Sequence, residues 1–218
     1  MKIPKSWTFK DNQVAKKFDS HVREQLPWYN ILTNLVAIVA KHYMPENGIG
    51  YDIGASTGNL GNVLKDIIKS RRFNWIGIDN SEQMKAYYRA PGKLEICDAI
   101  DYDFQSFDIA VCFLVLMFFP KDKRELWLKN LIEKAKFGAA IIIVDKEELK
   151  GGILSTALYR ATVLSKLEYT TAEKILEKES SLCGIQNPLP RDFMLQFGAT
   201  EIFRFGDFAA WVIEKKWH

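Results

Sequence analysis

Residues 50 to 61 read Gly-Tyr-Asp-Ile-Gly-Ala-Ser-Thr-Gly-Asn-Leu-Gly, and this stretch restricts the fold more than any other. It predicts a short apolar strand over Gly50–Ile53, a turn of small residues, and a helix from Asn59 to Lys69. A second strand, Trp75–Ile78, is closed by Asp79 and followed by Asn80 and Ser81. A glycine-rich strand-to-helix turn, with an acid closing the next strand, is how an open α/β sheet holds a nucleoside. Bare backbone admits the ligand, and the carboxylate accepts hydrogen bonds from the ribose hydroxyls.

The rest of the chain keeps this rhythm. Apolar residues at 31, 32, 35, 36, 38, 39 and 43 predict a helix over Ile31–Tyr43, stopped at Pro45-Glu-Asn-Gly48. Further strands are expected at Leu94–Cys97, Phe107–Phe113 and Ala139–Val144. Further helices are expected at Ser81–Tyr88 and Asp122–Lys136, the latter with Leu126, Trp127, Leu131 and Ile132 inward. Ala139–Val144 shows no alternation, as expected of a strand covered on both faces. Beyond Asp145 the rhythm changes to two helices, Leu154–Leu167 and Thr171–Leu182. A last helix over Pro190–Phe197 and a hairpin, Thr200–Phe205 and Phe208–Glu214 about Gly206-Asp207, complete the chain. The expected fold is therefore α/β and Rossmann-like. A mainly parallel sheet of about seven strands carries a C-terminal antiparallel hairpin and helices on both faces. Residues 1–45 read as an N-terminal helical segment, with Trp7, Phe9, Phe18 and Val22 as apolar anchors. Residues 46–218 read as the nucleoside-binding domain, with a helical insertion over the crevice at about 150–185.

Bulk properties narrow the function. A net charge of +3 does not demand a polyanionic partner. Cys97, Cys112 and Cys183 show no C-x-x-C spacing, and His21, His42 and His218 are scattered. Neither set makes a metal centre, and the sparse thiols fit a reducing, cytoplasmic setting. No secretory h-region opens the sequence, and the apolar run from Ile109 to Phe119 falls short of the roughly 20 residues that span a bilayer. No membrane role is expected.

Three chemistries fit the first turn. A dinucleotide enzyme would carry G-x-G-x-x-G, but Ser56 stands at the second glycine position, where a pyrophosphate needs close approach. Gly54-Ala-Ser56-Thr-Gly58 also spells the G-x-S-x-G elbow of α/β-hydrolases, which needs a downstream histidine. Only His218 follows Ser56. In the third reading the ligand has no phosphate. Asp52-Ile-Gly54-Ala-Ser-Thr-Gly58 then matches the acidic-x-Gly-x-x-x-Gly motif of class I S-adenosylmethionine-dependent methyltransferases. Asp52, Asp79 and Asp98, at successive strand ends, favour a cationic sulfonium ligand over a phosphate. Taken singly these residues read more often as structural, Gly54 and Gly58 as formers of a tight turn and Asp79 and Asp98 as helix N-caps.

Within that superfamily the chain most resembles the carboxy-S-adenosylmethionine synthases. The resemblance rests on Phe18-Asp19-Ser-His-Val22, Pro27-Trp-Tyr29, Tyr51-Asp-Ile-Gly-Ala-Ser-Thr-Gly58, Ile78-Asp-Asn-Ser81, Cys97-Asp98-Ala99-Ile100 and Gly206-Asp-Phe208. It implies S-adenosylmethionine as cofactor. Asp52 would hold the ammonium group, Asp79 the ribose diol and Asp98 the adenine amino group. Tyr29, Gly54, Ala55, Ser56, Gly58, Asn80 and Ala99 would complete the contacts. Cys112 stands where that family has an asparagine, and is carried over as a cofactor contact. Lys178 stands where the family binds the extra carboxylate with an arginine. Lysine keeps the charge but not the planar two-pronged pairing. Its neighbours Glu177 and Glu179 place Lys178 on a solvated helix face. The resemblance further implies that prephenate and the cofactor give a carboxylated cofactor.

Transfer from an activated sulfonium needs little beyond in-line positioning in a dry pocket, so the lack of a histidine base is no objection. The fourth strand is followed by Phe113-Leu-Val-Leu-Met-Phe-Phe119, not by the Asp/Asn-Pro-Pro-Tyr segment of DNA amino-methyltransferases. No Pro-Cys pair exists for attack on a pyrimidine. A small molecule or RNA is the expected acceptor, with Tyr159 and Arg160 as the polar groups to test. Tyr159 reads equally as core and Arg160 as surface. A homodimer is compatible with the sequence.

Overall fold

A computed structural model describes residues 3–149 and 151–216. Seven strands form one sheet: β1 (Ile49–Ile53), β2 (Asn74–Asp79), β3 (Lys93–Ile96), β4 (Phe107–Phe113), β5 (Ala135–Lys146), β6 (Thr200–Phe205) and β7 (Phe208–Glu214). Their order is β3-β2-β1-β4-β5-β7-β6. The pairs from β3 through β5 are parallel, and β7 runs against both β5 and β6. The mainly parallel sheet and its C-terminal hairpin are as expected. The chain reverses its direction of winding between β1 and β4, so the connections at their carboxyl ends diverge and open a crevice.

The helices are α1 (Asn12–Gln25), α2 (Tyr29–Lys41), α3 (Asn59–Val63), α4 (Lys65–Ser70), α5 (Arg124–Lys134), α6 (Ile153–Ser165) and α7 (Ala172–Leu182). Successive residues of the central strands feed opposite faces. Ile109, Val111, Ala140, Ile142 and Val144 pack with Leu32 and Val36 of α2, with Leu60 of α3, with Leu64 between the helices and with Ile68 of α4. Ala110, Cys112, Ile141 and Ile143 pack with Trp127, Leu128 and Leu131 of α5. This double cover explains the unbroken apolar run of β5. Burying Leu32 and Val36 contributes roughly 1.5–3 kcal/mol apiece.

Several elements differ from expectation. The helix predicted over Asn59–Lys69 is broken at Leu64, whose φ of −86° and ψ of 1° turn its side chain fully into the core. Ser81–Tyr88 is a 3₁₀ turn over Glu82–Tyr87, and Ser81 does not cap it. The Ser81 hydroxyl donates instead to the Phe9 carbonyl at 2.7 Å. On α5 Leu126 is 64% exposed and Leu128 takes the inward position. Pro190–Phe197 contains only a 3₁₀ turn, Leu195–Phe197, closed by left-handed Gly198. The N-terminal segment forms a full helix because Asp11 caps α1 by accepting from the Gln13 and Val14 N–H groups. Among the described residues no helix is long and apolar enough to cross a membrane.

Candidate functional site

A cavity of about 390 Å³ lies over the carboxyl ends of β1, β2 and β4. Its floor begins with the turn after β1. Gly54 and Ala55 donate to the Ile78 carbonyl at 2.8 and 2.9 Å, stitching the turn to β2. Gly54, Ser56 and Gly58 all take left-handed φ values, 73°, 51° and 79°. At Gly54 a Cβ would collide with the Val115 side chain, so the glycine is required twice over. Ser56 has no such exemption, and its strained backbone is held by a 2.8 Å hydrogen bond from its N–H to Asp79 Oδ2. Its hydroxyl lies 3.5 Å from the Met84 sulfur. His218, the imidazole required by the hydrolase reading, lies outside the described residues.

The expected acids share this cavity: Asp52, Asp79 and Asp98 all line it. Asp79 accepts from Ser56 N–H through Oδ2 and from Ser81 N–H at 2.9 Å through Oδ1. Each oxygen retains a lone pair for a diol. Burial raises the Asp79 carboxyl above its usual range while the two N–H groups pull it back. Asp52 is only 3% exposed, and its Oδ2 has no hydrogen-bond partner. Burial, then the charge of Asp79, push its carboxyl up to about 7 against the opposing Gly61 N–H. A buried acid with an orphaned oxygen facing a cavity suits a cation, which would restore its charge. Asp98 is exposed and accepts from the Ile100 N–H at 3.0 Å. The Trp127 indole fixes the same loop by donating to the Ala99 carbonyl at 2.7 Å.

The roof combines the expected helical insertion, the 113–119 loop and Tyr29 with residues of α1 and the leading strap that the sequence left without a role. Asp19 of α1 accepts from the Thr57 hydroxyl at 2.6 Å and from Asn59 Nδ2 at 2.8 Å. Asn59 also donates to the Tyr29 hydroxyl at 3.3 Å. The leading strap crosses above, joined to α7 by the Trp7 N–H donating to the Ser181 carbonyl at 2.9 Å. Phe9 meets Trp7 and Phe118 edge-on at centroid separations of 5.6 and 5.5 Å. One wall of this roof is basic, with His21, Lys146, Lys166 and Lys178 all lining the cavity. Lys146 pairs with Asp207 at 3.2 Å and Lys166 with Glu179 at 2.9 Å.

Lys178 corrects the sequence reading. It is not on a solvated face but 8% exposed, with its ammonium against the Trp7 ring. Burial, reinforced by Lys166, pushes it down to about 5. His21 stacks on Trp7 at 5.3 Å and is likewise lowered, to about 3, by burial and then Lys178. Tyr29, Gly54, Ala55, Ser56, Asn80, Ala99 and the half-exposed Tyr159 also line the cavity. Arg160 is exposed and does not line it, and Gly58 lies behind the turn as the residue preceding α3. Cys112 is fully buried on the α5 face of the sheet, away from the cavity, and burial holds its thiol well above the usual range. The roof residues Asp19, His21, Lys146 and Lys166 had no assigned role, since polar residues on lysine-rich segments read as solvated. Only the Phe18-Asp19-Ser-His-Val22 segment, which holds Asp19 and His21, carried a sequence signal.

Comparison with known proteins extends the picture. No protein-family model matches the chain. A carboxy-S-adenosyl-L-methionine synthase from Staphylococcus epidermidis is 33% identical over 195 residues, covering 85% of this chain and 84% of the relative. The synthase of the same name from Wolinella succinogenes is 25% identical over 221 residues, covering 94% and 92%. Among solved structures, the plantazolicin methyltransferase BpumL in complex with SAH superposes with a TM-score of 0.65 at 15% identity, covering 95% of this chain and 92% of that one. Human N-acetylserotonin methyltransferase in complex with SAM gives 0.62 at 14% identity, covering 96% and 58%. The structural neighbours share the fold, and the sequence relatives share most of their length. This chain belongs to the carboxy-S-adenosyl-L-methionine synthase family of the methyltransferase fold.

Proposed function

We propose that this protein is a transferase that binds S-adenosylmethionine in the cavity and produces its carboxylated form. The observation that carries the reading is the composition of one cavity: it is lined both by Asp52, buried with an unpartnered oxygen, and by the buried amine of Lys178. The residues present fit the cofactor. Asp52 would hold the ammonium group, Asp79 the ribose diol and Asp98 the adenine amino group, with the bare Gly54 backbone beneath. When bound, the sulfonium supplies an activated one-carbon group. The chain itself supplies orientation by the acids, exclusion of water by Trp7, Phe9 and Phe118, and a counter-charge at Lys178 for an added carboxylate.

Incubation with S-adenosylmethionine and prephenate, read by mass spectrometry, tests this. A new adenosyl species heavier by a carboxyl group supports the reading, and recovery of unmodified cofactor alone rejects it. A second reading is methyl transfer to a small molecule or RNA in the cytoplasm. It is favoured by the burial of Lys178, which pushes its amine down to about 5 and weakens the charge it offers an anion. Labelled methyl groups appearing in an acceptor would support it. Self-association into a homodimer belongs to the proposal, supported by the exposed Ile153 and Leu154 of α6, and sedimentation tests it.

A further inference from the structure

The three cavity acids are not supported alike. Asp79 accepts from two backbone N–H groups and Asp98 from one. Asp52 is the most deeply buried of them, and its Oδ2 has no hydrogen-bond partner. In the β1–β2 register Asp52 stands opposite Gly77, so the two share one face of the sheet. Gly77 has no side chain to offer, and Tyr88 fills the space beside it. A Cβ on Gly77 would come within 2.8 Å of the Tyr88 hydroxyl, and one on Gly58 within 2.9 Å of its ring. Two absent side chains thus form the slot that admits the ring behind the glycine turn. The Arg89 N–H fastens the segment there by donating to the Thr57 carbonyl at 3.0 Å. The Tyr88 hydroxyl is buried and, like Asp52 Oδ2, lacks a partner. Tyr88 does not line the cavity, so it can reach the ligand only through another residue.

We propose that Tyr88 is a positioning residue for Asp52: its hydroxyl donates to the acid once the ligand's ammonium has made it a carboxylate. This rests on the cofactor reading above and adds to it what supports Asp52 from behind. The ligand meets Asp52 from the cavity, while Tyr88 stands on the other side of the turn. An ionised carboxylate has lone pairs for the ammonium and the hydroxyl together. A donor to the charged form of an acid favours that form, so the hydroxyl strengthens the ion pair without touching the ligand. The hydroxyl is suited to donate, since burial and then the charge of Asp52 keep its proton in place. Such hydrogen bonds are commonly long until the ligand is bound, and tighten with it. Phenylalanine at this position would fill the same slot and offer nothing to the acid.

Two probes separate this role from a structural one. S-adenosylmethionine carries the ammonium, and methylthioadenosine has the same adenosine and sulfur without it. By calorimetry, Tyr88→Phe should weaken S-adenosylmethionine about tenfold, the scale of one hydrogen bond to a charged group, and leave methylthioadenosine unchanged. In an Asp52→Ala background, with the acceptor gone, Tyr88→Phe should change S-adenosylmethionine binding by less than about twofold. Equal weakening of both probes would make Tyr88 a structural residue only. An undiminished loss in the Asp52→Ala background would show that it acts through some other group. Either result overturns the proposal, as does an unchanged S-adenosylmethionine affinity in Tyr88→Phe alone. Wild-type protein that binds neither probe would instead sink the cofactor reading, and this proposal with it.

Discussion

The Thr57 hydroxyl donates to the Asp19 carboxylate at 2.6 Å, joining the helix that roofs the cavity to the turn that floors it. Asn59 and Tyr29 extend the link, so roof and floor form one hydrogen-bonded unit. The small satellite cluster of Trp7, Val14 and Leu182 then closes the roof over it.

Asp19→Ala should loosen this joint. Two hydrogen bonds to a carboxylate are lost, which costs about 1–3 kcal/mol of stability. Affinity for S-adenosylmethionine should fall about tenfold. Chemical denaturation and calorimetry on the same variant check both, and wild-type values would show that the roof is not tied through Asp19.

Gly54→Ala places a Cβ at φ 73° and against Val115. The left-handed backbone alone costs about 1–2 kcal/mol, and the collision adds to it. Val115→Ala should recover part of the loss in the double variant, and denaturant midpoints across that cycle measure the recovery.

Asp79→Ala should weaken cofactor binding by roughly 1.5–3 kcal/mol, the scale of hydrogen bonds to a charged group. Calorimetry reads the change, and an unaltered dissociation constant rejects the ribose role.

Asp52 gives the site a pH dependence. Its carboxyl is raised above the unfolded value to about 7 by burial and the charge of Asp79. The folded state therefore binds more protons between the two values, and this contribution to stability is lost as pH rises toward 7. A bound ammonium favours the charged acid, so affinity for S-adenosylmethionine should increase as pH rises through that window. Asp52→Asn should flatten the profile, measured as dissociation constants across pH, and a parallel profile in the variant would contradict the assignment.

Arg124→Met should destabilise by about 3 kcal/mol or more, since the buried guanidinium donates to the Met117, Phe119, Asn187 and Pro188 carbonyls, of which Met117 alone keeps a backbone partner, the Asn187 N–H. Thermal unfolding measures the loss. The same change should disorder the 116–119 loop that lines the cavity, visible as faster amide exchange there.

The sheet and its floor were legible because they are written locally. Strand periodicity, the glycine turn and an acid at each strand end need no knowledge of distant contacts, and the acids at 52, 79 and 98 do share one cavity. The helical insertion over the crevice was legible too, but the contacts that α1 and the leading strap add to the roof were not, because they are tertiary. Lys178 sits between Glu177 and Glu179 on a helix that reads as solvated, yet it is buried, with its ammonium against the Trp7 ring of the strap. Cys112 shows the converse limit. A match by position put it at the ligand, while strand alternation turned it to the opposite face, among the residues beneath α5. Ser81 was expected to begin a helix, yet its hydroxyl binds the strap at Phe9, a partner far away in sequence.

Mass spectrometry of the nucleoside that stays with the protein through purification tests the central claim most directly. The account predicts an adenosyl-sulfur compound, S-adenosylmethionine or its carboxylated form, lost on Asp79→Ala. A protein that carries and binds no such compound, or that retains a pyrophosphate nucleotide in its place, would contradict it.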